Sequence, residues 1–153
     1  PQVYGMGAGK KSISPVNPVK KSLVFNMKHE ELTRQIIACA YTVYNKLGFG
    51  FLESVYKKAM MIELARMGLK AEEEKPLTVY YDDEYIVGKF SADIFVEDKV
   101  IVELKSVQQL AVSHELQLVN YLNAVKFNVG LLLNFGPKSV DVKRKYRKSV
   151  GQD

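Results

Sequence analysis

The chain has 153 residues, 47% of them hydrophobic, enough for one domain with a real core and too few for two comfortable ones. No apolar run approaches the roughly 18 residues of a transmembrane helix, and the N-terminal stretch lacks the continuous apolar segment of a secretory signal. One cysteine, Cys39, excludes an internal disulfide and cannot alone hold zinc, so it reads as core filler in a protein of the reducing cytoplasm.

The formal charge of +5 is unevenly spread. Lys10, Lys11, Lys20, Lys21 and Lys28 stand in the first 28 residues without an acid. Lys138, Lys143, Arg144, Lys145, Arg147 and Lys148 outnumber Asp141 and Asp153 at the other end. The body between is net acidic. Basic ends on an acidic body suit a polyanionic partner, because Lys and Arg neutralise phosphates, and they suit solvated tails equally well.

Residues 1–26, rich in Gly, Ser, Pro and Lys, show no sustained period and read as a flexible leader, an upstream extension or an artificial remnant. Residues 27–150 read as a single domain. A helix is expected over 29–47, with Leu32, Ile36, Ala40, Val43 and Leu47 at helical spacing, broken by Gly48-Phe49-Gly50. A second, over 52–67, carries Leu52, Val55, Tyr56, Ala59 and Ile62 and stops at Gly68. Strands are expected over 69–81 and 85–90, joined by Asp82-Asp83-Glu84. A further strand over 90–96 returns through Glu97-Asp98-Lys99 as 100–105. A third helix over 112–125 stripes Leu118, Tyr121, Leu122 and Val125; an apolar strand over 129–135 and a basic strand over 139–146 follow. Two helices, four strands, a crossover helix and two strands make an α/β sandwich with a mixed sheet.

The hairpin carries the chemistry. A three-residue turn at 97–99 sets Val96 against Val100, and counting back sets Asp93 against Glu103 with Lys105 on the same face. Two opposed carboxylates repel unless a cation lies between them, and oxygen ligands suit Mg²⁺ or Mn²⁺. A two-residue turn would break this pairing, and the bland alternative is a surface hairpin with a cross-strand Asp93–Lys105 ion pair. Glu53 in the first turn of the second helix either complements the helix N-terminus or adds a third acid. On the third helix Gln117 and Tyr121 are neighbours, with His114 a turn earlier; a Gln within an apolar helix wants a hydrogen-bond partner.

Asp93, then Glu103-Leu104-Lys105, then Gln117-x-x-x-Tyr121 resembles the PD-(D/E)xK nuclease superfamily, in particular its RecB-like and lambda-exonuclease-like branch. Gly50-x-x-Glu53-x-x-Tyr56 resembles, more narrowly, the bacterial GxxExxY proteins, as do Gly130 and Asn134-Phe135-Gly136. Ala92 stands where the superfamily has proline, which is no metal ligand. The resemblance implies a restriction-endonuclease-like core, a mixed β-sheet flanked by helices, and metal-dependent hydrolysis of DNA, with RNA second. It implies Mg²⁺ or Mn²⁺ held by Asp93, Glu103, the Leu104 carbonyl and Glu53. Lys105, Gln117 and Tyr121 would complete the catalytic set, and Lys143, Arg144, Lys145 and Arg147 would follow the nucleic-acid backbone. A homodimer is compatible with cutting both strands of a duplex, and no membrane partner is implied. The alternative is a non-catalytic member of the fold that binds nucleic acid or protein.

Overall fold

The computed structural model describes the backbone of residues 17–148, and the side chains of these except residues 18–28. Its elements are α1 (Pro18–Leu47), α2 (Glu53–Arg66), β1 (Ala71–Tyr81), β2 (Tyr85–Val96), β3 (Val100–Lys105), α3 (Val112–Val125), β4 (Val129–Phe135) and β5 (Val140–Tyr146). The first helix thus begins eleven residues before the expected 29. Pro18 suits a first helical position, and Lys20, Lys21, Leu23 and Met27 are good helix formers even without an apolar stripe. Residues 1–16 of the expected leader lie outside the described residues.

The five strands form one sheet in the order β1-β2-β3-β4-β5, with β3 and β4 parallel and the other pairs antiparallel. This is the mixed sheet expected, with α3 as the crossover between its parallel neighbours. Three strands rather than four precede that helix. The segments expected separately at 85–90 and 90–96 are one strand, because nothing between Phe90 and Ser91 turns the chain and β1 pairs along the whole length.

Alternation along each strand divides the core in two. Ile94, Val96, Val100, Val102, Leu104, Leu131, Leu133 and Phe135 pack on one side beneath α1 and α2, against Ile36, Ala40, Val43, Tyr56, Met60 and Leu64. Phe95, Ile101 and Leu132 pack on the other side beneath Leu118 and Leu122 of α3. Every residue of β4 is buried, as a central strand covered on both faces requires. Cys39 lies in the first cluster, its thiol 3.1 Å from Met67 Sδ, which is the core role its composition implied.

The crossover helix sits close to the sheet at Gly130. A Cβ built there would stand 2.9 Å from Leu118 Cδ1 and 3.3 Å from the Ile101 carbonyl oxygen. Gly130→Ala is therefore expected to destabilise the domain by about 1–3 kcal/mol through overpacking. Urea denaturation checks this, and an unchanged midpoint would refute the close approach.

Candidate active site

The β2–β3 register is the one that a three-residue turn gives: Val96 faces Val100, Phe95 faces Ile101 and Ile94 faces Val102. Glu97 and Asp98 take left-handed φ values of 52° and 53°, and Lys99 N–H donates to the Val96 carbonyl at 3.0 Å. Left-handed central residues suit a tight hairpin because their twist matches the strands. One step beyond the last pair, Asp93 stands level with Glu103, which shares the face that Phe95 and Ile101 turn towards α3. Ala92 packs towards α3 and Ile94 towards α1 and α2, so the alternation of β2 breaks at Asp93.

Asp93 does not pair with Lys105. Its Oδ2 accepts the Leu104 N–H at 2.8 Å. Glu103 is only half-exposed, and its Oε1 is buried without a hydrogen-bond partner. Burial first, and then the charge of Asp93 and a side-chain hydrogen bond with it, push the Glu103 carboxyl up to about 8, while the Asp93 backbone N–H and then Lys105 draw it back. An uncompensated acid at such a position is costly unless it is protonated or meets a cation. Such a pair could hold a cation. No three His, Cys, Asp or Glu side chains converge to hold a metal among the described residues, so Glu53 does not complete a cluster.

The loop that presents Glu53 is braced from three sides. Gly50 has φ +113°, a conformation closed to ordinary side chains. Tyr56 is fully buried, its ring stacked 4.2 Å from Phe135, and its hydroxyl donates to the Gly48 carbonyl at 2.5 Å and accepts the Phe51 N–H at 3.3 Å. Ser106 Oγ, one residue beyond Lys105, donates to the Phe51 carbonyl at 2.7 Å. The spacing Gly50-x-x-Glu53-x-x-Tyr56 therefore has a local cause: the glycine bends, the tyrosine anchors, and Glu53 is left exposed at the helix start.

Sequence reasoning missed the part played by Asn134. It is fully buried, and the register sets it beside Lys105. Its Oδ1 accepts the Val107 N–H at 2.9 Å, and its Nδ2 donates to the Val107 carbonyl and to Asp141 Oδ2, both at 3.0 Å. The amide imitates a neighbouring strand and holds the chain leaving Lys105. The signal available was an amide within an otherwise apolar run.

On α3 the expectations divide. Tyr121 is half-buried and stacks on Phe90 at 3.7 Å; burial, then the Glu103 charge, raise its hydroxyl, which puts it beside the acids. Gln117 is exposed, so the reading that it needs a core partner is corrected. The buried stripe runs through Leu118 and Leu122, and Gln117 stands about 100° around the helix from Leu118. His114 accepts the Ala111 N–H at 3.1 Å, a role at the helix start.

The basic set also divides. Lys143 and Lys145 align with Leu132 and Gly130, on the face of Glu103; Lys145 pairs with Glu115 at 2.7 Å and Lys143 is exposed. Arg144 aligns with Leu131 on the opposite face, its Nε buried without a partner, and Arg147 donates to the Lys126 carbonyl at 3.2 Å.

Comparison with known proteins decides the family. A sequence description of the PD-(D/E)XK nuclease superfamily matches residues 30–146, most of the chain. The chain belongs to the PD-(D/E)XK nuclease superfamily. No curated protein matches it. A solved structure named "Crystal structure of SSO0001" is similar with a TM-score of 0.51 and 18% identity, over 64% of this chain and 52% of that one. At that identity the likeness concerns the fold alone, and the chain spans about half the length of that protein.

In this PD-(D/E)XK protein the position of Glu103 has a consequence for stability. Its folded carboxyl titrates at about 8 against 4.5 for an ordinary glutamate. Between those values the folded chain holds a proton that the unfolded chain has lost, so the contribution is complete below the lower value and lost as pH rises through the upper. Glu103→Gln removes this loss and is expected to be more stable than wild type at about pH 8.5, by about 1 kcal/mol or more. Urea denaturation of the metal-free proteins at about pH 5 and pH 8.5 tests it. Parallel pH dependence in the two would show that Glu103 is not the group involved.

Proposed function

We propose that the protein is a divalent-metal-dependent nuclease hydrolysing phosphodiester bonds of DNA, with RNA the alternative substrate. The observation that carries this reading is the half-buried Asp93–Glu103 pair, with an oxygen of Glu103 lacking any partner and Lys105 two residues along the same face. Two carboxylates suit Mg²⁺ or Mn²⁺, hard cations that retain waters and accept substrate oxygens in their remaining positions. Asp93 and Glu103 would hold the cation, with the Leu104 carbonyl as a further ligand and Glu53 acting through water. When bound, such a cation supplies activated water and stabilises charge on phosphoryl oxygens.

The side chains divide the remaining work. Lys105 would orient the attacking water or offset charge on the phosphate. Gln117, exposed on α3, would reach the phosphate, and Tyr121 would border the site from its stack on Phe90. Lys143 and Lys145, on the same sheet face as Glu103, would follow the nucleic-acid backbone; Arg144 and Arg147 would contribute at its margin. Cutting both strands of a duplex would call for two copies of the chain. Among the described residues no helix is long and apolar enough to cross a membrane. A cytoplasmic location belongs to the same reading.

One observation favours a second reading, a non-catalytic nucleic-acid- or protein-binding member of the fold: among the described residues no three acids converge to hold a metal. Cleavage assays separate the two. Asp93→Ala, Glu103→Ala and Lys105→Ala are each expected to lower Mg²⁺- or Mn²⁺-dependent cleavage of single- or double-stranded DNA by roughly 10²-fold or more, with the circular dichroism unchanged. Full activity in Asp93→Ala would exclude the nuclease reading. Wild type that binds neither cation nor cleaves any substrate would favour the second.

A further inference from the structure

A lysine that the proposed chemistry does not use stands on α2 within electrostatic range of Asp93. Lys57 stands on α2, one helical turn beyond Glu53, and 15% of its side chain is exposed. It forms an ion pair with Glu74 of β1, and its charge acts on Asp93 and Glu73 as well. The backbone explains how that partner arrives. β1 pairs with β2 through Glu73↔Ile94 and Lys75↔Ala92, so Glu74 lies level with Asp93. Yet Glu74 has φ 54°, a left-handed conformation that a non-glycine residue rarely takes within a strand. Glu74, Asp93 and Glu103 are thus successive members of one row across three strands, and the first breaks the ladder's regular conformation. Such an outlier beside a charged pair points to a local task.

We propose that Lys57 is the resident counter-ion of this acid row: it offsets Asp93 while no divalent cation is bound, it competes with that cation, and Glu74 holds it in place. The inference rests on the cation reading of the Asp93–Glu103 pair. It makes Lys57 and Glu74 positioning residues, acting through Asp93 rather than on substrate. The physics sets opposite signs for the two. An ammonium near a divalent cation repels it, so removing Lys57 favours cation binding. Glu74 draws that ammonium towards itself, so neutralising Glu74 releases Lys57 to Asp93 alone and disfavours the cation.

Calorimetric titration of the metal-free full chain with Mn²⁺ tests this. Lys57→Met is expected to bind Mn²⁺ roughly three- to tenfold more tightly than wild type, and Glu74→Gln more weakly by a similar factor. The double variant should match Lys57→Met, since Glu74 acts through Lys57. Lys57→Gln, which keeps an amide donor for Glu74, serves if the methionine variant does not fold, with the same expected sign. Unchanged or weakened Mn²⁺ affinity in the Lys57 variants overturns the proposal. A double variant weaker than Lys57→Met would make Glu74 a ligand and overturn its holding role. Asp93→Ala separates the two layers of inference. Mn²⁺ binding lost in Asp93→Ala but unmoved by Lys57→Met sinks only the counter-ion, whereas wild type without Mn²⁺ binding sinks the cation reading and the counter-ion with it.

Discussion

Everything at the candidate site depends on the register between β2 and β3. Side chains alternate across a sheet, so a slip of one residue would carry Glu103 to the opposite face, beneath α1 and α2. There it would displace Val102, which is completely buried, and bring a charge into the larger of the two cores. The register is held by the two left-handed residues of the turn at one end and by this apolar penalty along its length. The same constraint that keeps aliphatic side chains inward brings the two carboxylates level with each other. Their repulsion is a cost that the packing of the surrounding strands sustains.

The site is supported by polar contacts that strands alone would not provide. Asn134 clamps Val107, Ser106 reaches the Phe51 carbonyl, and Tyr56 ties the bend from Gly48 to Phe51. These contacts link β4, the segment after β3 and the start of α2, all near Lys105. Side chains held in this way lose little further freedom when a ligand binds. Lys57 and Glu74 add a charged layer on the β1 side, where the ladder departs from regular conformation.

How much of this was legible depends on whether the signal is local. The hairpin could be read because its turn is three polar residues between two apolar runs, and the register follows by counting. The extent of α3 could be read from its apolar stripe, and the parallel neighbours from the need for a crossover. The early start of α1 was obscured because Pro18 opens it and no apolar period marks its first turns. The split of β2 into strands at 85–90 and 90–96 was an error of punctuation: no turn residue stands at Phe90, and the pairing with β1 runs on through it. Gln117 was misjudged for a geometric reason, since one residue's rotation on a helix separates a buried leucine from an exposed amide. Nothing in the local spelling of Glu74 marks it as left-handed.

Local spelling set most of the elements, the turn at 97–99, the order of acids and lysine along the hairpin, and the membership that this order suggested. Those are properties of near neighbours, set by side-chain periodicity and the conformations that short polar segments allow. Long-range packing set the rest: Glu103 has an oxygen without a partner, Glu53 stands apart from the acid pair, and Lys57 joins Glu74. It likewise decided that Lys143 is the one on the face of Glu103, while Arg144 turns to the other face with its Nε buried. These depend on which surfaces the helices cover, and burial, unlike periodicity, is set by residues far away in the chain.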